Sequence, residues 1–175
     1  MSRNTRRTVW GYLASLFHKY TGHRWVASRG LQDIYNYRPI DERISTSGQP
    51  TEAQFGCIRD AGFTSVINLA PAGAENALPD EAAVLRDLGL HYVHLPVDFA
   101  RPTQSDFRQF VDALGQLDAE KVWIHCAANM RVSAFLFRYR TEILGEDISG
   151  ARADMEVIWE PFGAWKPFLA GKPDS

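Results

Sequence analysis

The stretch "IHCAANMRVS", Ile124 to Ser133, places one of only two cysteines in the 175-residue chain five positions before an arginine. Cys126 follows the apolar run "KVWI" and precedes a turn that leads into a helical pattern. A thiol there sits at the positive end of a helix, where the thiolate form is favoured and the sulfur becomes nucleophilic. The amides of Ala127, Ala128, Asn129, Met130, Arg131 and Val132 can turn inward together and form a nest of donors for an oxyanion. Arg131 adds a planar fork of donors that clasps two oxygens at once. Asn129 suits the bend because asparagine tolerates positive φ, and Ala127 and Ala128 leave room for a guest. Ser133 offers a hydroxyl to the thiolate. His125 is expected to brace the loop by hydrogen bonding. Attack by sulfur on a phosphate ester also needs an acid for the departing oxygen, worth about 10²–10⁴-fold. Asp98, in "HLPVDFARPT", follows a strand-like run and meets that need, while an aspartate in a loop also caps turns.

The elements that must position these groups alternate. "RISTS" reads as a strand around Arg43–Ser47, and "GQPTEAQFGCIRDAGF" as a helix with Thr51 as N-cap, Gln54 completing a capping box and Gly62 as stop. Phe55, Ile58 and Ala61 form its inward face, and Cys57 reads as a small buried hydrophobe. "TSVINLA" (Thr64–Ala70) is a buried strand and "LPDEAAVLRDLG" a helix with Pro79 in its first turn. "HYVHLPV" (His91–Val97) is a strand. "TQSDFRQFVDALGQL" is a helix with Phe107, Phe110, Val111 and Leu114 inward. "KVWIHC" is a third central strand. The helix "RVSAFLFRYRTEIL" puts Val132, Phe135, Leu136, Tyr139 and Ile143 on one face, and two helical pieces close the chain. Strand starts lie roughly 20–30 residues apart, the signature of βαβ units. The fold class is therefore α/β, with a mainly parallel central sheet flanked by helices and its site beyond the carboxyl ends of the strands. The tail aromatics Trp159, Phe162, Trp165 and Phe168 either seal a core edge or wall the site.

The net charge of −2 gives no reason to expect nucleic acid as a partner, and the scattered histidines lack ligand spacing for a metal. Two cysteines fit a reducing compartment, so the expected location is cytoplasmic. The first 32 residues carry six Lys/Arg and no acid. They form a basic arm, 1–32, whose helix puts Trp10, Leu13, Phe17 and Tyr20 on one face; the folded domain spans 33–170. Three readings of the arm stay open: contact with an anionic membrane surface, a helix packed on the domain, and, less well supported for want of a small-x-small cleavage site, a signal peptide.

"VWIHCAANMRVS" resembles the strand–HC–loop–helix element of the cysteine-dependent protein tyrosine and dual-specificity phosphatases, and "LPVD" resembles their acid-bearing loop. "ISTSGQPTEAQFGCIRDAGFTSVINLAP" is similar to a small bacterial phosphatase-like family related to the domain fused to β-lactamase-like hydrolases. The resemblance spans about 44–144. It implies a phosphotyrosine-phosphatase-like fold and a cysteinyl-phosphate mechanism. Cys126 would attack, Arg131 and the loop from Ala127 to Ser133 would hold the oxygens, and Asp98 would serve as acid. Phosphorylated protein or a small phosphoester would be the substrate, with no cofactor. The usual loop is Cys-x5-Arg with glycine three after the cysteine; here Asn129 replaces the glycine and the spacing is Cys-x4-Arg, which leaves room for weak turnover. Cys-x4-Arg is also the loop length of rhodanese-type sulfurtransferases. A sulfurtransferase and a catalytically weak phosphate or phosphopeptide binder therefore remain as alternatives.

Overall fold

In the computed structural model, which describes residues 2–21 and 30–172, strands β2 (Ile44–Ser47), β3 (Ser65–Asn68) and β5 (Val122–His125) are buried at every position. Strands buried on both faces need helices on both sides. Strand β4 (His91–His94) is less buried, and β1 (Arg38–Pro39) pairs antiparallel with β2. The order is β1-β2-β5-β3-β4, and all pairs but the first are parallel. Their register aligns Ser47, His125, Asn68 and His94 in one row, so four strands end level. Beyond His94 the chain keeps pairing, with Leu95 N–H on Asn68 O at 2.9 Å and Val97 N–H on Leu69 O at 3.2 Å. Pro96 between them has its missing N–H on the outer edge of the sheet, where no strand needs a donor.

Alternation along the strands divides the interior in two. Val66 and Trp123 face Phe55 and Ile58 of α2 (Glu52–Asp60) and Leu85 of α3 (Glu81–Asp87). Ile44, Val122 and Ile124 face α4 (Gln104–Gln116), α5 (Met130–Arg138), α6 (Ile148–Ile158) and α7 (Trp165–Leu169). The expected Thr51–Gln54 capping box is present, and Thr103 with Asp106 makes a second one. Helix α3 starts later than expected: Asp80 is its N-cap and Pro79 lies outside.

Two inward assignments need correction. Ala61 lies beyond the end of α2 and is exposed, because the chain turns away at Gly62, where φ is 87°. Val111, by contrast, packs inward as expected, half-buried against the core beside Phe110 and Leu114. Ile143 is 51 % exposed. After Arg138 the helix widens to i→i+5 pairing over Tyr139–Ile143, which rotates later residues off the buried stripe.

The arm forms α1 (Arg3–Thr21), and it packs on α6 with the face opposite to its apolar one. Trp10 and Leu13 are 71 % and 48 % exposed, while Thr5 and Thr8 are buried. The side chains of Phe17 and Tyr20 lie outside the described residues. The polar face is inward because α6 ends in carbonyls without helical partners, which α1 satisfies. Asn4 Nδ2 donates to Glu156 O at 2.8 Å, Arg7 Nη2 to Val157 O at 3.0 Å and Thr8 Oγ1 to Ile158 O at 2.6 Å.

Candidate active site

Cys126 is the first residue past the row of strand ends, between the segments that follow β2 and β3. Its amide donates to Ser47 O at 3.4 Å. The turn to α5 is completed at Asn129, which is left-handed with φ 63° and ψ 5°. Its side-chain amide fixes that geometry by donating to Asn36 O at 2.8 Å and Thr46 Oγ1 at 2.9 Å. The first helical hydrogen bond runs from Ser133 N–H to Asn129 O at 3.1 Å. An isolated antiparallel bridge ties Ala128 to Gly48, with Gln49 N–H donating to Ala127 O at 3.3 Å, while the first-turn amides of α5 have no helical carbonyl to pair with and suit an anion.

Arg131 is held sideways. Its Nε donates to Val97 O at 2.9 Å and its guanidinium lies 5.1 Å from the centre of the Phe99 ring. It lines a cleft of about 460 Å³ whose floor includes Ala127, Ala128 and Met130. Cys126 has no exposed surface, belongs to the buried core cluster and is not among the residues lining the cleft. Ser133 turns elsewhere: its hydroxyl donates to Met130 O at 3.0 Å and accepts from Trp159 Nε1 at 3.1 Å, so its proton is directed away from the thiol. Asp98 is exposed beside Val97, and its carboxylate accepts from the Ala100 amide at 2.9 Å, the turn-capping geometry. Glu75, from the loop after β3, lines the cleft. The tail seals a core edge, and none of its aromatics is among the residues lining the cleft. Trp159, Trp165 and Phe168 are buried, and Trp159, Phe162 and Trp165 pack around Phe99, which lines the cleft.

Behind the loop, His125 Nε2 lies 3.2 Å from Glu81 Oε1, giving the bracing histidine its partner. The same carboxylate accepts from Asn68 Nδ2 at 2.8 Å and Gln49 Nε2 at 2.5 Å. Burial raises the Glu81 carboxyl, but the charge of His125 and hydrogen bonds from His125, Gln49 and Tyr92 outweigh it and hold the group at about 2. Tyr35 lies on the other side, its phenol pushed up first by burial and then by the charge of Cys126.

A profile described as "DSP-PTPase phosphatase fused to NAD+ Kinase" matches residues 21–161. The chain belongs to this phosphatase family. A β-lactamase hydrolase-like protein of Agrobacterium fabrum is 30 % identical over 129 residues, 71 % of this chain and 28 % of the relative. One from Xylella fastidiosa is 35 % identical over 95 residues, 53 % of this chain and 22 % of the relative. The chain thus spans less than a third of the curated relatives it matches. Among solved structures, a DUF442 protein of Shewanella putrefaciens CN-32, named as a phosphatase, is 30 % identical with a TM-score of 0.73, covering 81 % of this chain and 93 % of that one. P. aeruginosa TpbA, 17 % identical with a TM-score of 0.65 over 78 % of this chain and 84 % of its own, shares the fold.

In this phosphatase-family domain, sequence reasoning missed Glu81, Asn68, Gln49 and Tyr35. Glu81 reads as an ordinary acid in the first turn of α3, and Asn68 as the polar end of a strand. Nothing local announces that the row of strand ends brings them to His125.

Proposed function

We propose that the chain hydrolyses phosphomonoesters through a cysteinyl-phosphate. The thiolate of Cys126 forms the S–P bond as the P–O bond to the leaving group breaks. The departing oxygen takes a proton from a carboxylic acid. Water then attacks phosphorus, the S–P bond breaks to restore the thiolate, and the carboxylate collects the water proton. The amides of 127–132 and the guanidinium of Arg131 hold the non-bridging oxygens. The observation that carries this reading is the start of α5: its first-turn amides lack helical carbonyl partners, and Arg131 is pinned to Val97 O and lines the same cleft as Ala127, Ala128 and Met130. The hinge at Asn129 lets this shorter loop close in spite of the early arginine. Phosphotyrosine on a protein is a fitting substrate, and pTyr is bound in a structure of P. aeruginosa TpbA. The free cysteines and bacterial relatives support action in a bacterial cytoplasm. The exposed Trp10 and Leu13 of the basic helix support contact with an anionic membrane surface. No helix of the described residues is long and apolar enough to cross a membrane.

Asp98 is the acid in this reading, released from its turn by rotation of the side chain. A second assignment rests on one observation: Glu75 lines the cleft and Asp98 does not. Turnover of an aryl phosphate by the wild type, Cys126→Ser, Asp98→Asn and Glu75→Gln decides among these. Cys126→Ser should abolish turnover. The true acid variant should lose about 10²–10⁴-fold in kcat and flatten the basic limb of the pH profile. A wild type that transfers sulfur from thiosulfate to cyanide and leaves aryl phosphates intact refutes the assignment in favour of the sulfurtransferase.

A further inference from the structure

The matched family region begins at residue 21, so nearly all of α1 lies outside it. This added helix is fixed against the active loop by contacts on two sides. On one side it carries the carbonyl-capping bonds to the end of α6, and Thr5 Oγ1 also accepts from the Glu160 amide at 2.8 Å. On the other side the Tyr35 hydroxyl donates to Thr8 O. The Tyr35 ring occupies a slot between two glycines: a Cβ on Gly11 would fall 2.5 Å from the ring and one on Gly48 2.6 Å from it. Asn36 ties the helix to the loop directly, because its Nδ2 lies 3.2 Å from Thr8 Oγ1 and 3.0 Å from Ala128 O. Thr8, Val9 and Tyr12 thereby become one wall of the 460 Å³ cleft, with Phe99, Ala127, Ala128, Met130 and Arg131 among its other walls.

We infer that α1 is a specificity element: Val9 and Tyr12 contact the part of the substrate beyond the phosphate and select phosphomonoesters bearing a bulky, flat apolar group. The inference rests on the phosphatase reading of the same site. The cleft falls in the 300–1,000 Å³ range of small-ligand pockets, far more than a phosphoryl group fills. Its apolar wall side chains, Val9, Tyr12 and Phe99, stand around a floor of anion donors. A substrate seated on that floor must pass its remaining atoms between Phe99 and α1.

The test uses the full chain, with 2-naphthyl phosphate and acetyl phosphate as substrates and tungstate as a probe of the phosphate cup. Tyr12→Ala removes wall and Val9→Phe thickens it. Each should lower the ratio of kcat/KM for naphthyl over acetyl phosphate by about tenfold, the equivalent of roughly 1.4 kcal/mol of lost contact. The loss should appear in KM, with tungstate inhibition retained. An unchanged ratio in both variants, or equal losses on both substrates, overturns the inference. If the wild type turns over neither substrate, the phosphatase reading fails, and calorimetric binding decides the wall separately. In that case Tyr12→Ala must weaken 2-naphthyl phosphate and spare tungstate, and any other pattern refutes the role of α1.

Discussion

Glu81 offers the most direct measurement of what holds the loop that follows β5. Its carboxylate collects hydrogen bonds from His125, Asn68 and Gln49 inside the sheet-to-α3 interface. Glu81→Gln keeps the shape and removes the charge, but it also turns one acceptor into a donor facing a group that already donates. A carboxyl held at about 2, against an ordinary 4.5, is stabilised as the anion by on the order of 3 kcal/mol. The folded value lies below the unfolded one. The contribution is therefore complete above about pH 5.5 and fades as pH falls through 4.5 towards 2. At pH 3.5 about 1.4 kcal/mol of it is gone. Urea unfolding of the wild type and Glu81→Gln at pH 7 and pH 3.5 gives the test. The expected deficit of the variant is about 3 kcal/mol at pH 7, narrowing to about 2 kcal/mol at pH 3.5. A deficit below about 1 kcal/mol at pH 7, or one that does not change with pH, refutes the account of a carboxylate kept charged by its donors.

Two further substitutions test the loop and the core. Asn129→Ala keeps a Cβ in a left-handed position without asparagine's tolerance of it and loses two hydrogen bonds, whereas Asn129→Gly loses the bonds but relieves the left-handed strain. Urea midpoints should rank the wild type above the glycine variant, and the glycine variant above the alanine variant by about 1 kcal/mol; the reverse order of the two variants would contradict the left-handed constraint. Arg138 is buried, paired with Glu142 and set 3.8 Å from the centre of Phe107 and 4.7 Å from that of Phe168. Arg138→Ala should cost about 2–3 kcal/mol in chemical unfolding, with Arg138→Met recovering part of it through packing alone.

The parallel sheet, its helices and the loop from Cys126 to Arg131 were legible because each rests on local signals: β-branched runs, the capping box at Thr51, and an asparagine where the backbone must reverse. The packing side of α1 was not. Periodicity picked out Trp10 and Leu13, yet Thr5 and Thr8 face inward because the frayed end of α6 needs donors more than that surface needs cover. The buried carboxylate at Glu81 was equally hidden, since its donors come from four separate stretches of chain. The turn that Asp98 closes on itself was weighed in advance as an alternative, and only the cleft lining brought Glu75 forward.

The last strand to be synthesised is the central one. Strand β5 lies between β2 and β3, which do not pair with each other. Until residues 122–125 arrive, the earlier strands have no shared partner and the hydrophobic interior stays in separate halves. Closing the sheet brings together segments some 80 positions apart, as in the Ile44–Val122 pairing, and such long-range closure makes folding slow. A ribosome-bound chain halted before that point cannot complete its sheet, and in any refolding intermediate lacking β5 the thiol at 126 stands open to oxidants.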